Sequence, residues 1–338
     1  LKSRQIKYSD LKVISDLFLP NSELHIFDPY LKVNFDSDGT NSNPTDGKRI
    51  LFNFGEELIR YREFELNDFD CIVDFSKKMN LGNFHSAKLG LIQSKNGTCK
   101  YLFERNKSKL CVIDFFQDSN FRGKLIKSIT KNILRFNLVG LIGKEFNVLS
   151  KSKLYFKSAI SENSIGNFSI FLGTPGFWRK PVIQLINDKN IVSHYVKFST
   201  TNQTKFLVQK ESENLKRIQK YNLKSITVPN AFKGLTSEVL IQEVYSIGKV
   251  KRLSHMNTSL FNVIKELSAC SMNHKKIENS SFYTEILDCH TFLKNNNHNI
   301  DKKLFFNLKK LKTDLNTNEY ISTGISHGDF TPWNLFKS

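Results

Sequence analysis

The segment His327-Gly328-Asp329-Phe330-Thr331-Pro332-Trp333-Asn334 sets a carboxylate five positions ahead of a carboxamide, with an imidazole two positions before the carboxylate. Glycine and proline inside so short a stretch call for a turn. On a turn of that length a carboxylate can orient an attacking hydroxyl, and an amide oxygen can hold a metal ion on nucleotide phosphates. The chemistry such a loop would serve is phosphoryl transfer.

Phosphoryl transfer asks for positioned charge rather than covalent catalysis. A lysine must neutralise phosphates, a carboxylate must hold that lysine, and backbone amides must approach the phosphate oxygens. Lys197, in His194-Tyr195-Val196-Lys197-Phe198, reads as a strand residue sharing a face with Tyr195 and opposed to Val196 and Phe198. Taken alone it is an ordinary lysine on a polar strand face. Glu211 follows near the start of an expected helix, where it can reach back to the strand or simply favour a helix N-terminus. Glu213 competes for the same role, and helical phase favours Glu211. Gly173 and Gly176 bracket a turn that either cradles phosphate or only closes a hairpin. Gln242-Glu243-Val244 follows as a connector whose backbone groups can meet an adenine edge.

These residues need elements to hold them. Phe168–Leu172, Arg179–Ile186 and Ile191–Phe198 read as strands of an antiparallel meander, Phe206–Gln219 as a helix and Val239–Tyr245 as a further strand. Helices are expected at Leu260–Ser271, Phe282–Leu293 and Lys302–Leu315, and a short strand at Ile321–Ser326. Upstream, strand-like runs occupy Arg49–Phe54, Cys71–Phe75, Tyr101–Glu104 and Leu110–Phe116. The turn formers of Asp36–Gly47 read as a surface loop, since their glycines are misplaced for a calcium-binding loop.

The order of glycine turn, strand lysine, helix glutamate, connector, helices and His-Gly-Asp loop resembles the aminoglycoside phosphotransferase and choline kinase family, over roughly 165–338. The stretch Gly173-Thr-Pro-Gly-Phe-Trp-Arg-Lys also resembles kinases found among bacterial cell-surface polysaccharide genes. The resemblance implies an α+β, protein-kinase-like two-lobe fold. An antiparallel-sheet N-lobe would span 161–248 and a helical C-lobe 249–338, preceded by a small α/β region over 1–160. It further implies ATP and Mg2+ as cofactors. Asp329 would be the catalytic carboxylate and Asn334 the metal ligand; Lys197, Glu211, Gly173, Gly176, Glu243 and Val244 would bind the nucleotide. His327 would brace the loop, and Pro332 and Trp333 would shape it. The acceptor would be a hydroxyl of a small molecule such as a sugar, amino alcohol or aminoglycoside. The family carries a further metal-binding aspartate beyond the asparagine. The chain, opening on Leu1 and stopping at Ser338, is therefore expected to be a fragment that is inactive as it stands. A non-catalytic kinase-like module is the alternative.

A formal charge of +18 admits nucleic acid or an acidic surface as partner. The lysines are spread along the whole chain, however, and no arginine-rich run or RNA-binding box appears, so nucleic acid is disfavoured. One basic amphipathic helix is expected near 120–138. On it Leu125, Ile126, Ile129, Ile133 and Leu134 recur at helical spacing beside Lys124, Lys127, Lys131 and Arg135. It either rests its apolar face on a sheet or makes peripheral contact with an anionic membrane. The five cysteines are scattered and form no CxxC pair, so a reducing, cytoplasmic setting is expected, with neither a disulfide framework nor a zinc site.

Overall fold

The structure, a computed structural model, describes residues 6–27, 47–54, 66–77, 79, 81–94, 96–116, 120–161, 166–176, 178–221, 223–237, 239–243, 251–252, 258–295, 302–315, 318–323 and 336–337. The protein is mixed α+β and divides into two compact units, Leu1–Lys220 with Val228–Ser246, and Tyr221–Thr227 with Ile247–Ser338.

The first unit is built on one 11-stranded sheet. Its elements run α1 (Tyr8–Phe18), β1 (Glu23–Phe27), β2 (Arg49–Asn53), β3 (Cys71–Asp74), β4 (His85–Gln93), β5 (Cys99–Glu104), a 3-10 segment (Lys107–Phe115), α2 (Phe121–Arg135), a 3-10 turn (Val139–Leu141), β6 (Gly143–Ser150) and α3 (Tyr155–Ile160). They continue as β7 (Asn167–Phe171), β8 (Val182–Ile186), β9 (Val192–Phe198), α4 (Asn202–Gln219), β10 (Ala231–Lys233) and β11 (Val239–Glu243). The spatial order is β1-β2-β3-β6-β4-β5-β7-β8-β9-β11-β10. The β1-β2 and β2-β3 pairs are parallel and every other pair is antiparallel.

The strands on either side of residue 160 thus share one sheet, because β5 pairs with β7 through Tyr101↔Phe171 and Phe103↔Ser169. One hydrophobic core follows, from Ile6, Leu11, Ile14 and Leu17 under the sheet to Val196, Phe198 and Val239. A single core extending from α1 to β11 makes the N-terminal region a structural part of the meander's support.

Several local differences from the sequence reading have clear causes. Leu110–Phe116 is not a strand but lies largely in the 3-10 segment, because β7 already occupies the free edge of β5. Val112 and Ile113 instead cover a sheet face, in a cluster with Phe103, Leu134 and Val139. Strand β8 begins at Val182 rather than Arg179. Pro181, immediately before it, has no N–H for a ladder. Helix α4 starts at Asn202, four residues earlier than its apolar pattern, because Thr201 and Thr204 form a reciprocal capping box. Asn120 caps α2, its side-chain oxygen accepting the Gly123 amide at 2.7 Å. Asn137 leaves the helix at φ +61°.

In the second unit β12 (Lys251–Arg252) pairs with β15 (Phe336–Lys337), and β13 (Asn273–Lys276) pairs with β14 (Tyr320–Thr323). Helices α5 (Thr258–Ser271), α6 (Ser281–Asn295) and α7 (Lys302–Asp314) accompany them. The carboxylate of Glu266 on α5 accepts the Ser225 amide at 2.8 Å and that of Lys224, which joins the 221–227 segment to this unit and holds the carboxyl below its usual range. The Asp36–Gly47 loop lies almost wholly outside the described residues. Among the described residues no helix is long and apolar enough to cross a membrane.

The cysteines differ sharply in environment. Burial pushes the Cys71 thiol up to about 12. Cys99 is raised as well, by burial first and then by the neighbouring Asp10 carboxylate. Cys270 and Cys289 are exposed. A raised thiol pKa leaves little thiolate at pH 8. An aromatic disulfide reagent at about that pH is therefore expected to titrate Cys270 and Cys289 in the folded chain, and Cys71 and Cys99 only in denaturant. Rapid modification of Cys71 under native conditions would contradict the burial.

Candidate functional site

Strand β9 separates its side chains by face. Val196 and Phe198 enter the main core, fully buried. Lys197 faces the other side, and its ammonium is bonded directly to the Glu211 carboxylate on α4. Glu213, the competing acid, is exposed. Glu211 is not near the helix start: with α4 beginning at Asn202 it lies in mid-helix, so a macrodipole role falls away and the ion pair accounts for its placement.

A third side chain completes the pair. Gln242 on β11 donates from Nε2 to Glu211 Oε1 at 3.2 Å. It lies across the ladder from Tyr195, two residues from Leu240, which pairs with Lys197. The same sheet face carries a polar row across the strands. Ser169 bonds Gln184, whose amide nitrogen meets the Tyr195 hydroxyl at 3.2 Å. Ser169 and Gln184 are both fully buried. Glu243, by contrast, turns to Asn230: its amide donates to the Asn230 carbonyl at 3.0 Å and its carboxylate accepts the Asn230 side chain at 2.9 Å. Its N–H is already engaged and is not offered to a base edge. Val244 lies outside the described residues.

The glycine turn between β7 and β8 has the backbone its composition implied. Gly173 has φ +83° and Gly176 φ +146°, conformations that side-chain-bearing residues rarely adopt. A Cβ at Gly173 would stand 2.8 Å from the Lys180 carbonyl oxygen and 3.2 Å from Arg179 Cγ, so the returning limb packs on the glycine itself.

That returning limb holds two residues, Arg179 and Lys180, to which the sequence reading assigned no role of their own. Arg179 turns into the protein and is buried. Its Nε donates to the Leu172 carbonyl at 2.8 Å, one terminal nitrogen to the Cys99 carbonyl at 3.1 Å, and the other to Asp10 Oδ1 at 2.6 Å. Asp10, on α1 and fully buried, also accepts the Cys99 amide at 2.7 Å. This forked contact ties α1, β5 and both ends of the glycine turn together. Lys180, the next residue, is half-buried within electrostatic range of both Glu211 and Lys197. Burial pulls its ammonium below the usual lysine range, Glu211 opposes that pull, and Lys197 adds to it.

Two lysines against one carboxylate leave excess positive charge beside a turn of permissive backbone. That donor set suits a phosphate chain. Among the described residues no group of three or more His, Cys, Asp or Glu side chains is placed to hold an ion. His327, Asp329, Pro332, Trp333 and Asn334 all lie outside the described residues. Comparison of the chain with protein-family models, curated proteins and solved structures gave no match.

Proposed function

We propose that the chain carries the nucleotide-binding side chains and the catalytic loop of a Mg-ATP-dependent phosphotransferase acting on a small-molecule hydroxyl. In this reading β7–β11 with α4 form the N-lobe of a protein-kinase-like fold, and the second unit belongs to its C-lobe. The observation that carries it is the Lys197–Glu211 pair, held between the third strand of an antiparallel meander and the helix that follows. A lysine on that strand bonded to a carboxylate on that helix is the arrangement kinases use to position ATP phosphates.

Lys197 then contacts the phosphates, Glu211 and Gln242 fix its direction, and the Gly173–Gly176 backbone approaches the phosphate oxygens. Lys180 supplies a second cation. Asp329 orients the acceptor hydroxyl and takes its proton, and Asn334 is the residue assigned to magnesium. The metal, when bound, neutralises charge on the transferring phosphate.

Thermal unfolding tests the nucleotide half of this reading. Mg-ATP at ~100 times its Kd adds about 2.7 kcal/mol, a rise of roughly 5–10 °C for a unit of this size. Lys180→Gln is expected to keep the unliganded melting point, since glutamine retains most of the stem of this half-buried side chain, and to weaken Mg-ATP about tenfold. No rise with Mg-ATP up to ~10 mM would remove the proposal. A rise without phosphate transfer to any hydroxyl acceptor would favour a binding module instead.

A further inference from the structure

Helix α2 carries Arg122, Lys124, Lys127, Lys131 and Arg135 and no acidic residue. Phe121, Leu125, Ile129 and Ile133 follow at four-residue spacing and line one side of it. Such a stripe ordinarily rests on a core. Here it does not. The buried residues of the helix are Thr130 and Leu134, on another side. Phe121 is 82% exposed, Leu125 and Ile129 are each 50% and Ile126 is 45%. The turn that follows continues the surface, with Phe136 at 69%, Leu138 at 50% and Leu141 at 60%. Isolated exposed apolar residues are common, but a run of this size on one short segment marks a contact surface.

Charge decides among occupants. A second copy of this chain would bring the same five cations against these five, and lysine is depleted from protein–protein contacts. Asp114, on the preceding 3-10 segment, faces Lys127 and Lys131 and answers part of the helix charge. Arg122, Lys124 and Arg135 stand at exposed positions around the apolar stripe. An anionic lipid surface meets both halves of this pattern, with acyl chains for the stripe and phosphates for the bases.

We propose that α2 and the turn after it dock on an anionic lipid surface, the apolar stripe at the headgroup–acyl boundary and the basic residues among the lipid phosphates. The docking rests on residues apart from Lys197 and its partners, so it stands or falls independently of the phosphotransferase reading.

Cosedimentation of the whole chain with phosphatidylcholine vesicles, with and without phosphatidylserine, tests this. Binding is expected to the anionic vesicles, much weaker to the neutral ones, and to fall several-fold between ~0.1 and ~0.5 M NaCl. Leu125→Gln with Ile129→Gln is expected to cut partitioning at least ~10-fold. Lys124→Gln with Arg135→Gln should reduce the preference for anionic lipid. All four positions are exposed, so unchanged melting points serve as the control for folding. Absence of binding to anionic vesicles overturns the proposal, as does equal, salt-insensitive binding to neutral ones. So does unchanged binding by the Leu125/Ile129 variant. If that variant instead dissolves a dimer of a chain that ignores vesicles, a second copy covers the surface.

Discussion

Lys197→Met is expected to lower Mg-ATP affinity roughly 10- to 100-fold, the range for losing a hydrogen bond to a charged group, while the melting point of the free chain hardly moves. Methionine keeps the stem against β8 and β11 and removes only the ammonium. Lys197 and Glu211 are each 28% exposed, so the carboxylate left behind is reached by water and still receives the Gln242 amide. An ion pair of that exposure contributes no more than about 1 kcal/mol to folding. Glu211→Gln should cost less affinity, about tenfold, because Lys197 keeps its charge and loses only its direction. Lys197→Arg should fall between the two, since a planar guanidinium does not fill the place of a compact ammonium. Isothermal titration with Mg-ATP checks the series. Wild-type affinity in Lys197→Met would leave the pair a structural contact and nothing more.

The second large effect is on stability. Asp10→Ala or Arg179→Ala is expected to cost about 3–5 kcal/mol, the range for breaking a buried pair from one side. That is a fall in melting temperature of roughly 10 °C or more for a unit of this size. The pair is almost wholly excluded from water, with side-chain exposures of 6% for Arg179 and 1% for Asp10. Removing Asp10 strands a guanidinium beside two carbonyls and leaves the Cys99 amide without its acceptor. Removing Arg179 strands the carboxylate and frees the Leu172 carbonyl at the entrance to the glycine turn. The double variant should therefore cost clearly less than the sum of the singles. Arg179→Lys should be poorly tolerated, because an ammonium cannot span three acceptors held in a fork. Chemical denaturation of the four proteins measures this. Strict additivity would mean that the two residues act separately and that the turn is held by something else.

Much of the meander could be read from its residues. Alternation in β9 placed Lys197 opposite Val196 and Phe198, and helical phase over Phe206–Gln219 favoured Glu211 over Glu213 as its partner. Turn glycines announced themselves because few other residues adopt positive φ at so little cost. The helices of the second unit were legible from period alone. Less was legible upstream. Strands β4 and β6 and helix α1 escaped notice, although β4 and β6 form the longest pairing of the sheet, from His85↔Ser150 to Ile92↔Gly143. Those partners lie 51 (Ile92 to Gly143) to 65 (His85 to Ser150) positions apart, and no local pattern encodes which distant strand a segment joins.

The same limit governs the site. Its charged residues and their order were written in the chain, since strand and helix periods are local properties that a short window carries. Asp10 and Arg179 lie 169 positions apart and meet in a space free of water. Nothing in either neighbourhood distinguishes them from surface residues, and only burial, by excluding the solvent that would otherwise satisfy each, makes them obligatory partners. Helix α2 gives the converse case. Its apolar stripe was plain in the sequence, but whether a core or the solvent receives such a stripe depends on what the rest of the chain packs beside it. The tertiary structure left it outside.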